Sequence, residues 1–290
     1  MLFLNLTDMK KLLSITLAIV TLMSIVLIAP VSASASTIYY DFQNGCLYLT
    51  GSGSMPSYNY SSDYPWYQYK DSITSVYVAD TVTGIGKDAF SYYKNINSVY
   101  LGGVQTIGEN AFNNCISLTS VVLPASLTTV GQYAFYNCTS LQSITGDAPA
   151  TFGKYVFYGN TNLTTVNLPK AKSFGFYAFE KCPYLTSLYT PSATNTEVIV
   201  GSGNNISNMT VSTVANNTLY NFKNLKKITL TAKTIGENAC KNADSVTTIV
   251  AKNATSIGNL AFYDCDNLKT VTLSKAKTIG MGAFAYNEKL

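Results

Sequence analysis

Residues 107–112 read IGENAF, and the same shape returns as IGKDAF at 85–90, VGQYAF at 130–135, FGKYVF at 152–157 and FGFYAF at 174–179. It appears again as IGENAC at 235–240, IGNLAF at 257–262 and IGMGAF at 279–284. The motif glycines Gly86, Gly108, Gly131, Gly153 and Gly175 stand 22 or 23 residues apart, and Gly236, Gly258 and Gly280 keep a step of 22. A fixed interval of roughly 20–50 residues marks a stack of repeated units, because one such unit cannot bury its apolar face alone.

Between hexapeptides runs a second pattern: apolar, two polar, apolar, any, apolar. It is seen in Ile73-Thr-Ser-Val76-Tyr-Val78, Leu118-Thr-Ser-Val121-Val-Leu123 and Leu163-Thr-Thr-Val166-Asn-Leu168. Alternation of β-branched and polar residues predicts short half-buried strands. Their anchors are Val76, Val99, Val121, Ile144, Val166, Leu188, Met209, Ile228, Ile249 and Val271. This ruler continues between Gly175 and Gly236, where the hexapeptide is lost, so Pro191 to Asn205 is expected to be an altered back-side turn without a domain boundary.

The expected fold is a repeat solenoid of about ten rungs. A parallel β-sheet forms its concave face, and short helical or irregular turns form its convex face. Strands that recur after the same crossover lie side by side about 4.8 Å apart. Phe90, Phe112, Phe135, Phe157, Phe179, Phe262 and Phe284 then stack as a spine, with Leu219 and Cys240 as thinner members. Because Ala215 replaces the motif glycine in one rung, that glycine is expected to serve close packing rather than positive φ.

Three domains follow. Residues 1–35 read as a secretory signal peptide: Lys10 and Lys11, an apolar run from Leu12 to Ala29, then Ala33-Ser34-Ala35. Met9 opens the charged segment, which makes residues 1–8 a candidate upstream mis-start. An uncleaved anchor is the alternative. Residues 36–72 form an N-terminal cap, with a β-hairpin turning at Asn44-Gly45 and with Trp66, the one tryptophan. A cap is needed because the first rung would otherwise open its core to water. Residues 73–290 form the solenoid. Leu290 falls where an eleventh strand would open, so a truncated solenoid without a C-terminal cap is expected.

Catalytic chemistry has few places to sit. The chain has no histidine, which removes Ser-His-Asp, Cys-His and HExxH arrangements. Cys115, Cys138, Cys182 and Cys265 each follow a motif position by three residues, where other repeats have Tyr93, Asn160, Phe222 or Ala243. So varied a position reads as packing, which favours buried free thiols over disulfides; Cys115 with Cys138 is the one same-position pair on adjacent repeats. No CxxC supports a metal. Asp264 and Asp266 sit in a back-side turn, where solvation is the expected role. No cofactor, metal or catalytic residue is expected. All 19 basic residues are lysine, and the dense arginine-rich face of a nucleic-acid binder is missing.

The pattern IGxxAFxxCxxLxxVxLP at Ile107 to Pro124 resembles the BspA-type leucine-rich repeat, and the PWYQYKDSITSV stretch with its preceding GxGxMP resembles that family's N-terminal cap. The likeness covers about residues 45–290. It departs at Thr190 to Asn208 and at Cys240. It implies a bacterial protein, secreted or on the cell surface, with a role in adhesion to matrix proteins, cells or surfaces, and it carries no catalytic motif.

The outward positions of the expected sheet flank each anchor. They form a ladder of Ser and Thr hydroxyls with tyrosines toward one end. Tyr77, Tyr100, Val122, Thr145, Asn167 and Tyr189 are the candidate ligand-binding residues. Tyrosine gives large contact area for little lost rotamer entropy, although Ser, Thr and Tyr also suit any exposed strand. The expected partner is a protein or glycan on a host or microbial surface, with membrane contact only through the signal peptide during export. The other reading is a targeting arm of a larger exported enzyme. Charge is uneven: residues 37–169 hold four lysines against seven acids, and residues 170–290 hold thirteen against seven. Lys172, Lys233 and Lys277 recur at one motif position, which suits either a solvated rim or an attraction for anionic polymers.

Overall fold

The computed structural model describes residues 37–193, 205–212 and 222–290. The expected signal peptide and Leu219 lie outside them. Among the described residues no helix is long and apolar enough to cross a membrane.

The chain opens with β1 (Thr37–Gln43) and β2 (Cys46–Ser54), paired antiparallel. Asn44 and Gly45 both take positive φ at the turn, as a two-residue hairpin requires. Two single turns of 3-10 helix follow, at Ser61–Asp63 and Tyr67–Tyr69.

Then the repeat begins. β3 (Ser75–Val78) with β4 (Val82–Ile85) makes the first turn, and β5 (Ser98–Tyr100) with β6 (Thr106–Ile107) the second. Next come β7 (Ser120–Leu123) with β8 (Thr129–Val130), β9 (Ser143–Gly146) with β10 (Thr151–Phe152), and β11 (Thr165–Asn167) with β12 (Ser173–Phe174). β13 (Ser187–Thr190) and β14 (Asn208–Val211) follow without a described return strand. β15 (Lys227–Leu230) with β16 (Thr234–Ile235), β17 (Thr248–Val250) with β18 (Ser256–Ile257), and β19 (Thr270–Thr272) with β20 (Thr278–Ile279) complete the series.

Two corrections result. All ten anchors stand on strands, but among the described residues eight turns have both a sheet strand and a return strand, so about eight full turns stand against the expected ten rungs. Each complete turn carries two strands, the second only two residues long in all but the first, where one strand per rung was expected.

The anchors align in register. Val76 faces Val99, and Val121, Ile144, Val166, Leu188, Met209, Ile228, Ile249 and Val271 follow one another across an eight-stranded parallel sheet. Leu188 opposite Met209 carries the sheet across the irregular repeat.

The turn side contains no helix among the described residues, where short helical turns were one expectation. The fourth hexapeptide position takes positive φ at Asp88, Asn110, Tyr133, Tyr155, Tyr177, Asn238, Leu260 and Gly282. A second left-handed residue four positions on, from Tyr92 and Asn114 to Asp264 and Tyr286, gives each of these turns two, and the pair stops helix propagation and swings the chain back toward the sheet. It also aims amides along the stack. Phe112 N–H donates to Ala134 O at 2.8 Å and Phe135 N–H to Val156 O at 2.9 Å, each to the following turn. Gly131 N–H donates back to Ile107 O at 2.7 Å.

The motif glycine itself serves close approach. A Cβ on Gly131 would lie 2.5 Å from Glu109 N and 2.7 Å from Gly108 C of the preceding turn. Inside, the phenylalanines stack as expected, with ring centroids 5.2 Å apart for Phe90 and Phe112, 5.2 Å for Phe112 and Phe135, and 5.3 Å for Phe157 and Phe179. Their side chains are fully buried.

β2 starts both columns of strands. Its first half pairs with β3, its last residues pair with β4, and β1 covers it. Trp66 lies on Phe90 at 5.8 Å and 20°, and its indole N–H donates to Ala89 O.

Candidate open-face binding row

Alternation within each sheet strand puts the anchor inward and its neighbours outward. In β7 the order is exposed, buried, exposed, buried. Register then joins outward residues of successive turns into rows. Tyr77 faces Tyr100, and Val122, Thr145, Asn167 and Tyr189 are opposed in sequence. Between β5 and β7 the ladder continues through Thr119 N–H donating to Asn97 O. All six expected residues therefore fall along one line of the open face. Val122 is 65% exposed and Tyr189 43%, so the middle and far end of the row meet solvent.

At the near end the rings form a platform. Tyr77 and Tyr100 stack at 5.0 Å with planes 6° apart, and the Tyr100 hydroxyl donates to Asp80 Oδ1 at 3.3 Å. Tyr48 extends the row beyond Tyr77, its ring 6.0 Å away and tilted by 50°. Partial burial pushes the Tyr77 phenol up, helped by Tyr100 and Asp80, and burial then Asp80 do the same for Tyr100. Burial, followed by Cys46, pushes Tyr48 up to about 12. All three stay neutral at physiological pH and can donate or accept hydrogen bonds.

Sequence reasoning missed Tyr48 because Tyr39 to Thr50 was assigned to a hairpin alone. The signal was there: Cys46-Leu-Tyr48-Leu matches Ser75-Val-Tyr77-Val in polarity, and the two segments pair in parallel. A second tyrosine column was also missed. Tyr133, Tyr155 and Tyr177, all left-handed, stack on the turn side at 5.1 Å, with Tyr136 and Tyr158 beside them at 5.1 Å.

No group of three or more His, Cys, Asp or Glu that could hold a metal is gathered among the described residues. The cysteines are free. Cys115, Cys138 and Cys182 donate their thiols to Phe90 O, Phe112 O and Phe157 O at 3.2, 3.2 and 3.3 Å. Asn160 and Asn287 do likewise to Phe135 O and Phe262 O at 3.1 and 2.7 Å. Cys265 does the same to Cys240 O at 3.0 Å, so at these six turns the position supplies a donor, buried in all but the last, a demand that packing alone would not make.

Residues 62–186 and 203–290 match the BspA type Leucine rich repeat region, in 6 copies. The chain belongs to the BspA-type leucine-rich repeat family. Solved structures that it resembles include the T. pallidum leucine rich repeat protein, at 22% identity over 57% of this chain and 84% of that one, with a TM-score of 0.44. A leucine-rich repeat protein from Eubacterium ventriosum shares 25% identity over 84% of this chain and 72% of its own, with a TM-score of 0.39. A leucine rich cell surface protein from Faecalibacterium prausnitzii shares 18% over 90% and 82%, with a TM-score of 0.39. No curated protein matches the chain. Within the BspA-type repeat of this chain, hexapeptide and spine are shared by nearly every turn, whereas the outward row changes from turn to turn.

Proposed function

We propose that this chain is an exported BspA-type repeat protein, secreted or held at the cell surface, that binds a macromolecular partner in adhesion and performs no catalysis. The open-face row from Tyr48 through Tyr77 and Tyr100 to Tyr189 is its contact surface. One observation carries the proposal: Tyr77 and Tyr100 lie parallel at 5.0 Å on a solvent-facing sheet, at one end of a row whose Val122 is 65% exposed. Rings held rigid in the free protein lose little entropy on binding, and aromatic anchors dominate protein interfaces. The hydroxyls and amides of Thr145 and Asn167 add hydrogen bonding along the same line, suited to a protein or to the glycan on one.

The test is to screen the full chain against immobilised matrix glycoproteins and isolated glycans, and then to map hydrogen exchange on the complex. Protection confined to peptides containing β2, β3, β5 and β7 supports the proposal. Protection on the turn side with none on those strands would reject it.

A further inference from the structure

Every acid of the last three turns falls on one side, where Lys241 and Lys289 join them. Glu237, Asp244, Asp264, Asp266 and Glu288 all lie in the hexapeptide or the segment just after it. Burial and then the neighbouring carboxylates of Asp266 and Asp264 push the Asp244 carboxyl up, so these acids crowd one another on the turn side. Lys233, Lys252, Lys275 and Lys277 lie in the loops that join sheet strand to return strand, along the opposite edge, and all four are exposed.

Backbone bonds fix their spacing. Thr255 N–H donates to Lys233 O at 2.7 Å and Lys277 N–H to Thr255 O at 2.8 Å, so Lys233 and Lys277 occupy one column two turns apart, about 10 Å. Ala251 N–H donates to Thr272 O, which sets Lys252 one turn before Ser274. Lys275 Nζ reaches Asn253 Oδ1 at 3.5 Å. The ion pairs among the described residues join Lys87 to Glu109 and Lys170 to Asp147, and neither involves these four ammoniums. Farther up the same edge stand Asp80 and Asp147.

We infer that this loop edge is a second binding site, separate from the open face, for an acidic polysaccharide. One exposed ammonium contributes at most about 1 kcal/mol, so a small anion would not be held, whereas a polymer that meets several at once would. Lysines act as hydrated point charges, and arginine, whose fork grips a phosphate in bidentate fashion, does not occur in the chain. The edge loops hold no aromatic ring on which a base could stack, which disfavours a nucleic acid. Exposed Ser274 and Asn253 set a hydroxyl and an amide between the charges, matching a hydroxyl-rich chain.

The experiment measures binding of the full chain to immobilised heparin, with neutral dextran and phosphatidylglycerol vesicles in parallel, from about 50 to about 300 mM salt. The expected result is heparin binding that weakens as salt rises. It should be at least tenfold weaker in Lys233→Gln/Lys252→Gln/Lys275→Gln/Lys277→Gln. It should hold within threefold in a variant with Lys87, Lys94, Lys223 and Lys289 changed to Gln, which removes the same charge from the turn side. Melting curves confirm that both variants fold. Tyr77→Ala/Tyr100→Ala should leave heparin binding unchanged, which separates this site from the open face. No heparin binding at low salt, equal loss in both lysine variants, or binding to the vesicles but not to heparin would overturn the inference.

Discussion

Trp66 lies 5.8 Å from Phe90 with the two ring planes 20° apart, which makes the indole the first member of the phenylalanine spine. It is 3% exposed, and its N–H donates to Ala89 O. Trp66→Ala would uncover Phe90 and open a cavity at the end of the stack. A loss of roughly 3–5 kcal/mol is expected, read as a lower urea midpoint. A midpoint unchanged from wild type would show that Trp66 does not close the solenoid.

Close packing at the motif glycine predicts two unequal alanine substitutions. In Gly131→Ala the new methyl meets backbone atoms at 2.5 and 2.7 Å that cannot step aside, so a cost above about 2 kcal/mol is expected. The exposed side chain of the next residue touches no such backbone, and Gln132→Ala should cost less than about 0.5 kcal/mol. Thermal melts of the two proteins decide it, and equal shifts would refute the packing role.

The cysteine position asks for a donor. Cys138→Asn copies what Asn160 does in the following turn, and its stability should stay within about 1 kcal/mol of wild type. Cys138→Ala removes one of the two donors to Phe112 O, the other being Cys115 N–H at 3.2 Å, and leaves a small void, at a cost of about 1–3 kcal/mol. An alanine variant more stable than the asparagine one would show the thiol to be mere filling.

Stability should fall in alkali. Burial raises Cys138 and Cys182 from 9.0 to about 12 and Cys265 to about 11. A folded-state value above the unfolded one favours the neutral thiol in the native protein. The resulting stability is complete below pH 9 and drains away as pH climbs from 9 toward 12. Tm is expected to drop across that window, with a shallower drop in Cys138→Asn. With no histidine in the chain, Tm should stay flat between about pH 6 and 8. A steep step near neutrality, or a flat curve to pH 11, would be inconsistent with buried thiols.

The architecture was legible in the sequence because each turn repeats the same burial pattern. Val121, Ile144 and Val166 could be aligned from spacing alone, and they are neighbours in the sheet. Two features were not legible. Return strands such as Thr106–Ile107 are two residues long, too short for any alternation to register, and exist only because a neighbouring turn supplies the partner. Left-handed Tyr133, Tyr155, Tyr177 and Leu260 sit where other turns have Asn, Asp or Gly, so a conformation set by the closure of the turn was hidden by residues that seldom adopt it. At the open face, the six candidate residues followed from the strand pattern. Tyr48 did not, because pairing of β2 with β3 is decided by packing of the hairpin onto the first turn.

The most direct measurement is the affinity of the full chain and of Tyr77→Ala/Tyr100→Ala for one ligand recovered from the matrix-glycoprotein and glycan screen, at matched salt. Two stacked aromatic anchors are worth about 2 kcal/mol or more, so the double variant should bind at least tenfold more weakly with its melting temperature retained. Equal affinity in the two proteins would contradict the open face as the binding surface.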